Sequence, residues 1–164
     1  FRRVLFRSNG LGMAVTVVLT ITSAINWAIL KFVLIPWDLI YLRFIIFIIV
    51  IAATVQVLEM IIDRVSPALY MALGIFLPLI TVNCAILGVS LFIEIRNYTF
   101  LQSVIYGLGS GLGWWLAIML LSTIRKKTDK APVPAGLKGP GITLITIGFM
   151  AMAFMGFSGM LSVQ

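Results

Sequence analysis

Cys84 is the only cysteine in the 164 residues and the one soft metal ligand of its type in the chain. A thiolate suits copper(I), zinc or an iron–sulfur centre. Cys84 lies in the middle of LGIFLPLITVNCAILG, Leu73 to Gly88. That stretch is apolar enough for a bilayer, yet Gly74, Pro78, Asn83 and Gly88 interrupt it. A plain anchor needs no such punctuation. Irregular backbone survives at membrane depth only where protein or a cavity covers it. Pro78 removes a backbone donor, and Asn83 can cap a new helix start. A half-helix beginning near Asn83 would aim its positive end, with unpaired backbone N–H groups, at the thiolate. The expectation is a broken helix lining a site, with Cys84 presented at the break. The plain alternative is a small buried hydrophobe, the common role of a lone cysteine in an apolar span. A metal–sulfur cluster takes four such ligands, so a site at Cys84 would have to be shared.

Other residues invite chemistry and are weighed against plainer roles. Glu59 is the one carboxylate well inside an apolar segment. Such acids can relay ions, but Glu59 lies near the end of its span, with Asp63 and Arg64 beyond, so it reads as interfacial. Gly107, Gly109, Gly111 and Gly113 lack the G-x-G-x-x-G spacing and a preceding strand. Gly109 and Gly113 are expected to let helices approach closely. Met150, Met152, Met155 and Met160 read as packing filler, not copper ligands. Trp114, Trp115 and Tyr106 read as lipid or helix contacts.

Composition sets the frame for all of these. Hydrophobic residues make up 62% of the chain and charged residues only 10%. The mean hydropathy is +1.16. A soluble domain carries about 25% charged residues, so this is an integral membrane protein. With no histidine and one cysteine, a Ser-His-Asp triad, His-ligated haem, an internal disulfide and a Cys₄ site made by this chain alone are excluded.

The elements that must position Cys84 are spans of about 20 apolar residues. The fold class expected is all-α, a polytopic transmembrane helical protein. Five spans are expected in a single membrane domain, residues 9–164: about 11–33, 39–62, a broken 68–93, 100–124 and 141–163. Period-two alternation is absent, so no strand competes. The long connection holds Arg125, Lys126, Lys127, Lys130 and Lys138 against Asp129. The positive-inside rule places this loop, 125–138, in the cytoplasm and the C-terminus outside. It reads as a topology signal, not a nucleic-acid surface. Gly10 to Trp27 and Gly107 to Ile124 share opening glycines and length, and would cross in opposite directions. Inverted repeats of this kind place sites at discontinuous helices near the midplane.

The first eight residues, FRRVLFRS, fit nothing that follows. Read back into codons, they match the tail of a short-read sequencing adapter, so residues 1–8 are read as an adapter or assembly scar. The rival reading is a basic amphipathic N-terminus that binds anionic lipid. Without Arg2, Arg3 and Arg7, nine basic residues face five acidic ones, a net charge of +4 in place of +7. A scar there implies a gene cut at its 5′ side, with one more apolar helix and a second cysteine expected before Gly10.

The strings LGIFLPLITVNCAILG, IEIRNYTFLQSVIYGLGSGLGWWLAIMLLSTIR, VPAGLKGPGIT and FMGFSG closely resemble the E-subunit family of the Na⁺-translocating NADH:quinone reductase. The resemblance runs from about Asn9 to Leu161. Nearest to it are the D subunit of the same complex and the A subunit of the Rnf electron-transport complex, and Ile35 to Arg43 looks more like the Rnf protein. The family implies six spans in two inverted repeats, with the first and fourth helices broken and one cysteine on each. It implies a [2Fe–2S] cluster shared with the homologous D subunit in the bacterial inner membrane. It further implies electron flow from NADH through flavin towards ubiquinone, coupled to Na⁺ export. Cys84 matches the cysteine of the second broken helix. The rival within the family is ferredoxin:NAD electron transport by Rnf. The rival of another class is a secondary transporter, for which inverted repeats and a broken helix are equally natural.

Overall fold

A computed structural model describes residues 2–161. The expected fifth-span end at Val163 and the C-terminus at Gln164 lie outside the described residues. The chain is all-helical, with no strand among the described residues. Five helical stretches are long and apolar enough to cross a bilayer. Two compact units divide inside one helix, the first ending at Leu116 and the second starting at Ala117.

The first unit is built on α1 (Arg2–Ile29), which includes the basic residues at its start. Thr16, Thr20 and Ser23 donate their hydroxyl protons to carbonyls four residues back, at 2.7, 2.9 and 2.6 Å. This satisfies polar groups that hydrocarbon would leave bare. A π-helical stretch, Leu30–Leu34, winds the helix down before Pro36. Ile35 still has helical angles (φ -69, ψ -50), and Pro36, which has no N–H, cannot carry the hydrogen-bond ladder further. Asp38 (φ 54) then turns the chain into Ile40–Leu42 and α2 (Arg43–Val65).

The third expected span is in three pieces: α3 (Pro67–Leu73), α4 (Phe76–Thr81) and α5 (Cys84–Ile95). Pro78 explains the first break. In a continuous helix its ring would meet the carbonyl of Gly74 and give it no N–H partner. The break therefore falls at Gly74 and Ile75, and Pro78 sits in the first turn of α4, where a missing N–H costs nothing. Val15, Val18 and Leu19 of α1 join Ile51 and Val55 of α2, Leu77 and Ile80 of α4, and Ile86, Val89 and Ile93 of α5 in one buried core. At its far end Arg43 donates to Glu94 at 2.7 Å, tying the start of α2 to the end of α5. A turn at Asn97 (φ 51) leads into α6 (Phe100–Asp129).

α6 corrects the glycine reading. Gly109 and Gly113 are exposed, and a Cβ at either would meet nothing within 4 Å. The close approach belongs to Gly107 and Gly111, continuing the stripe of buried Ser103. A Cβ on Gly107 would lie 3.1 Å from the Leu19 carbonyl oxygen, and one on Gly111 would lie 2.8 Å from Thr16 Cα. A Cβ on Gly12 would fall inside the indole of Trp115. Trp115 Nε1 donates to Asn9 at 3.2 Å. Partners on α6 rise in number as those on α1 fall, so Gly107 to Trp115 and the matching part of α1 run antiparallel, as the internal echo requires.

Asn26 of α1 is buried and donates to Ser90 Oγ of α5 at 2.7 Å. Its own carbonyl oxygen has no partner among the described residues. Interhelical bonds at membrane depth are worth about 0.6 kcal/mol on average and at most about 1.7. Ser90→Ala strands both ends of the Asn26 amide and should destabilise the chain by about 1–2 kcal/mol. Asn26→Leu removes both partners' needs at once and should lie nearer neutral. Thermal unfolding of the two variants in one detergent checks the order; a costlier Asn26→Leu would contradict it.

In the second unit α6 continues to Asp129, beyond the expected end near Ile124, and α7 spans Pro140–Leu161. The cations at 126 and 127 occupy the last turns of α6, where the negative end of the helix dipole favours them. A turn with Leu137 N–H bonded to the Pro134 carbonyl, then Gly139 (φ 92), starts α7. The methionine reading is also corrected: Met152, Met155 and Met160 are 60–74% exposed, so they do not serve as packing filler among the described residues.

Candidate functional site

Cys84 is the first residue of α5. Asn83, in extended conformation, is the N-cap, and its side-chain oxygen accepts from the Ala85 N–H at 3.1 Å. Its backbone carbonyl accepts from the Ile86 N–H at 3.1 Å. The sequence expectation of a helix start at Asn83 therefore has its counterpart in the structure. The expected free amides do not: Asn83 takes two first-turn N–H groups for itself. What the helix start still offers an anion at Cys84 is its partial positive charge.

The Cys84 side chain is exposed, not buried as the plain reading of a lone cysteine has it. It lines a cleft of about 270 Å³ in the first unit. Leu11 and Val15 of α1, Ile80 of α4 and Trp114 of α6 form its apolar walls, and Asn83 adds the main polar side chain. The two-residue break at Val82 and Asn83 makes this possible.

Among the described residues, no three His, Cys, Asp or Glu side chains converge to hold a metal ion. Cys84 fits a cluster as one ligand, with its soft thiol accessible beside a helix start and no carboxylate in the cleft wall. Any further ligands would have to come from outside the described residues.

Of the other candidates, Trp114 reaches the cleft and the rest lie elsewhere. Glu59 is half-buried on α2 and accepts from the Tyr70 hydroxyl at 3.5 Å, so it bridges α2 and α3. Trp114 joins the cleft, Trp115 pins α1, and Tyr106 packs on Tyr98 at a ring separation of 5.3 Å. Asn26 and Ser90 are absent from the residues that the sequence singles out. An asparagine within the apolar run ITSAINWAIL is itself a signal that points to them.

A family model described as "Rnf-Nqr subunit, membrane protein" matches residues 4–161. The chain is 55% identical to a Chlamydia trachomatis serovar L2 protein named as the E subunit of Na⁺-translocating NADH-quinone reductase, over 93% of this chain and 67% of that one. It is 58% identical to the protein of the same name from Photorhabdus laumondii, over 92% of this chain and 79% of that one. The Pasteurella multocida protein of that name is 56% identical over the same shares. A match along nearly the whole described chain, on a helical scaffold broken where its motif is densest, shows that the chain belongs to the Rnf-Nqr family of membrane-protein subunits.

Proposed function

We propose that the chain is the E subunit of a Na⁺-translocating NADH:quinone reductase in a bacterial inner membrane. In this reading Cys84 is one of four thiolates on a [2Fe–2S] cluster shared with the homologous D subunit. Bound there, such a cluster supplies a one-electron relay between the NADH-oxidising side and the quinone. The observation that carries the reading is the exposed Cys84 thiol at an Asn83-capped helix start within an apolar cleft.

The chain's own residues have separable tasks. The start of α5 places its partial positive charge beside the sulfur. Leu11, Val15, Ile80 and Trp114 give the sulfur apolar walls on this chain's side, and a partner subunit would have to close the rest against water and lipid. Asn83 fixes the backbone so that the sulfur faces the cleft. The names of the relatives support the complex, and the family match supports the membrane scaffold.

A tag on this chain should bring down a flavin-bearing NADH dehydrogenase and further membrane proteins, with Na⁺-stimulated quinone reduction. A lone, iron-free chain that moves a solute across vesicles would favour the secondary transporter instead.

Orientation follows from the charge of the loop. In a Cys84→Ser background, Gly136→Cys should react with a membrane-impermeant maleimide in inverted vesicles and stay unlabelled in intact spheroplasts. Labelling in spheroplasts alone would place the loop outside and reverse the topology.

A further inference from the structure

The second unit carries a concentration of charge that electron transfer at Cys84 does not use. Within residues 125–138, five cations stand against Asp129 alone. Arg125, Lys127, Lys130 and Lys138 are exposed. Lys126 and Lys127 lie in the last turn of α6, and Lys130 follows directly after its end. Like charges gathered this closely in the sequence repel, and an anion beside them lowers that cost.

The apolar surface beside the charges says where that anion comes from. Leu120 and Ile124 of α6, Leu137 of the connection and Leu144 of α7 are exposed next to the cations. None of the α7 span is buried within the chain, and 11% of the α6 span is. Lipid chains meet apolar helix surface of this kind, and cations at the helix ends then stand at headgroup level. Their long apolar stems reach along the interface to a phosphate.

We propose that this collar binds anionic phospholipid. Headgroup phosphates are met by Arg125, Lys127, Lys130 and Lys138 around the end of α6 and along the connection, and the acyl chains lie against α6 and α7. Asp129 weakens the site but leaves it strongly cationic. Each cation near an anionic surface is worth about a fivefold gain in partition. The proposal stands apart from the role of Cys84 and survives its failure. The competing occupant is an acidic segment of another protein in the complex.

The test uses the whole complex in nanodiscs that contain photoactivatable phosphatidylglycerol or, separately, photoactivatable phosphatidylcholine. Crosslinks are mapped on chymotryptic peptides. Phosphatidylglycerol should label residues 117–145 several-fold more than phosphatidylcholine at low salt, and the preference should shrink in 0.5 M salt by screening. The triple variant Lys127→Gln, Lys130→Gln, Lys138→Gln should bring the two lipids level, with subunit stoichiometry unchanged. Equal labelling in the wild type, or a preference that the triple variant keeps, overturns the proposal. Loss of a partner protein from the variant also overturns it, because an acidic protein segment is then the occupant.

Discussion

Gly111→Leu is expected to stop the first unit from forming its native packing. A Cβ added at Gly111 would lie 2.8 Å from Thr16 Cα, which is main chain and has no rotamer by which to withdraw. The two helices must part to admit even alanine. Overpacking of this kind costs about 1–3 kcal/mol for small additions, and leucine adds three further carbons. Separation would also pull Trp115 from Asn9 and open one wall of the Cys84 cleft, since Trp114 rides on the same helix. Gly111→Ala should lower stability by about 1–3 kcal/mol, and Gly111→Leu should leave little folded chain in membranes. Gly109→Ala and Gly113→Ala, where the added carbon meets nothing, should stay within about 0.5 kcal/mol of the parent. Protease resistance and size-exclusion profiles of the full chain in detergent read all four. Equal damage at Gly109 and Gly111 would mean that α6 presents a different face to α1.

The second large effect concerns electron flow and leaves folding alone. Serine is nearly isosteric with cysteine, but its hard oxygen is a poor ligand for iron. Cys84 is exposed in the chain, so Cys84→Ser disturbs no core packing. The N-cap bonds of Asn83 to Ala85 and Ile86 involve no sulfur and should persist. The full complex should assemble with Cys84→Ser. Its NADH-driven quinone reduction should fall by at least 100-fold, while NADH oxidation by an artificial acceptor at the flavin subunit should stay within about twofold; the hundredfold corresponds to about 2.7 kcal/mol on the rate. Asn83→Ala is the positioning control. It removes the cap, worth about 1 kcal/mol, and should leave quinone reduction reduced but measurable. Loss of both electron steps in Cys84→Ser would point to failed assembly.

Much of this arrangement is legible in the sequence because the bilayer imposes it. Long apolar runs between charged or proline-rich ends give the spans, and Pro78 and Asn83 give the breaks by removing a donor and offering a cap. The register of contact is less legible. Gly107/Gly111 and Gly109/Gly113 have the same spacing, and α6 is apolar on nearly every side, so hydropathy does not tell one face from the other. Only the partner helix α1 chooses. The end of α6 is hidden for a related reason: Arg125 to Asp129 are polar, and polarity suggests a loop. Cations at a helix C-terminus are favourable, and the helix continues through them. The competition of Asn83 for the first-turn amides depends on the extended backbone at that residue, which composition does not encode. The methionines of α7 show the opposite case. Their flexibility suits packing, and Met150 is half-buried, but no surface among the described residues covers Met152, Met155 and Met160.

The central claim is that the sulfur of Cys84 is bound to iron. The most direct measurement is the electron paramagnetic resonance spectrum, with iron content, of the dithionite-reduced complex carrying wild-type or Cys84→Ser chain, at matched subunit stoichiometry. The expected result is a [2Fe–2S] signal in the wild type that is absent from Cys84→Ser, with about two fewer iron atoms per complex, the content of one such cluster. A Cys84→Ser complex that keeps its full iron content and an unchanged signal would contradict the claim and leave Cys84 as a wall of its cleft.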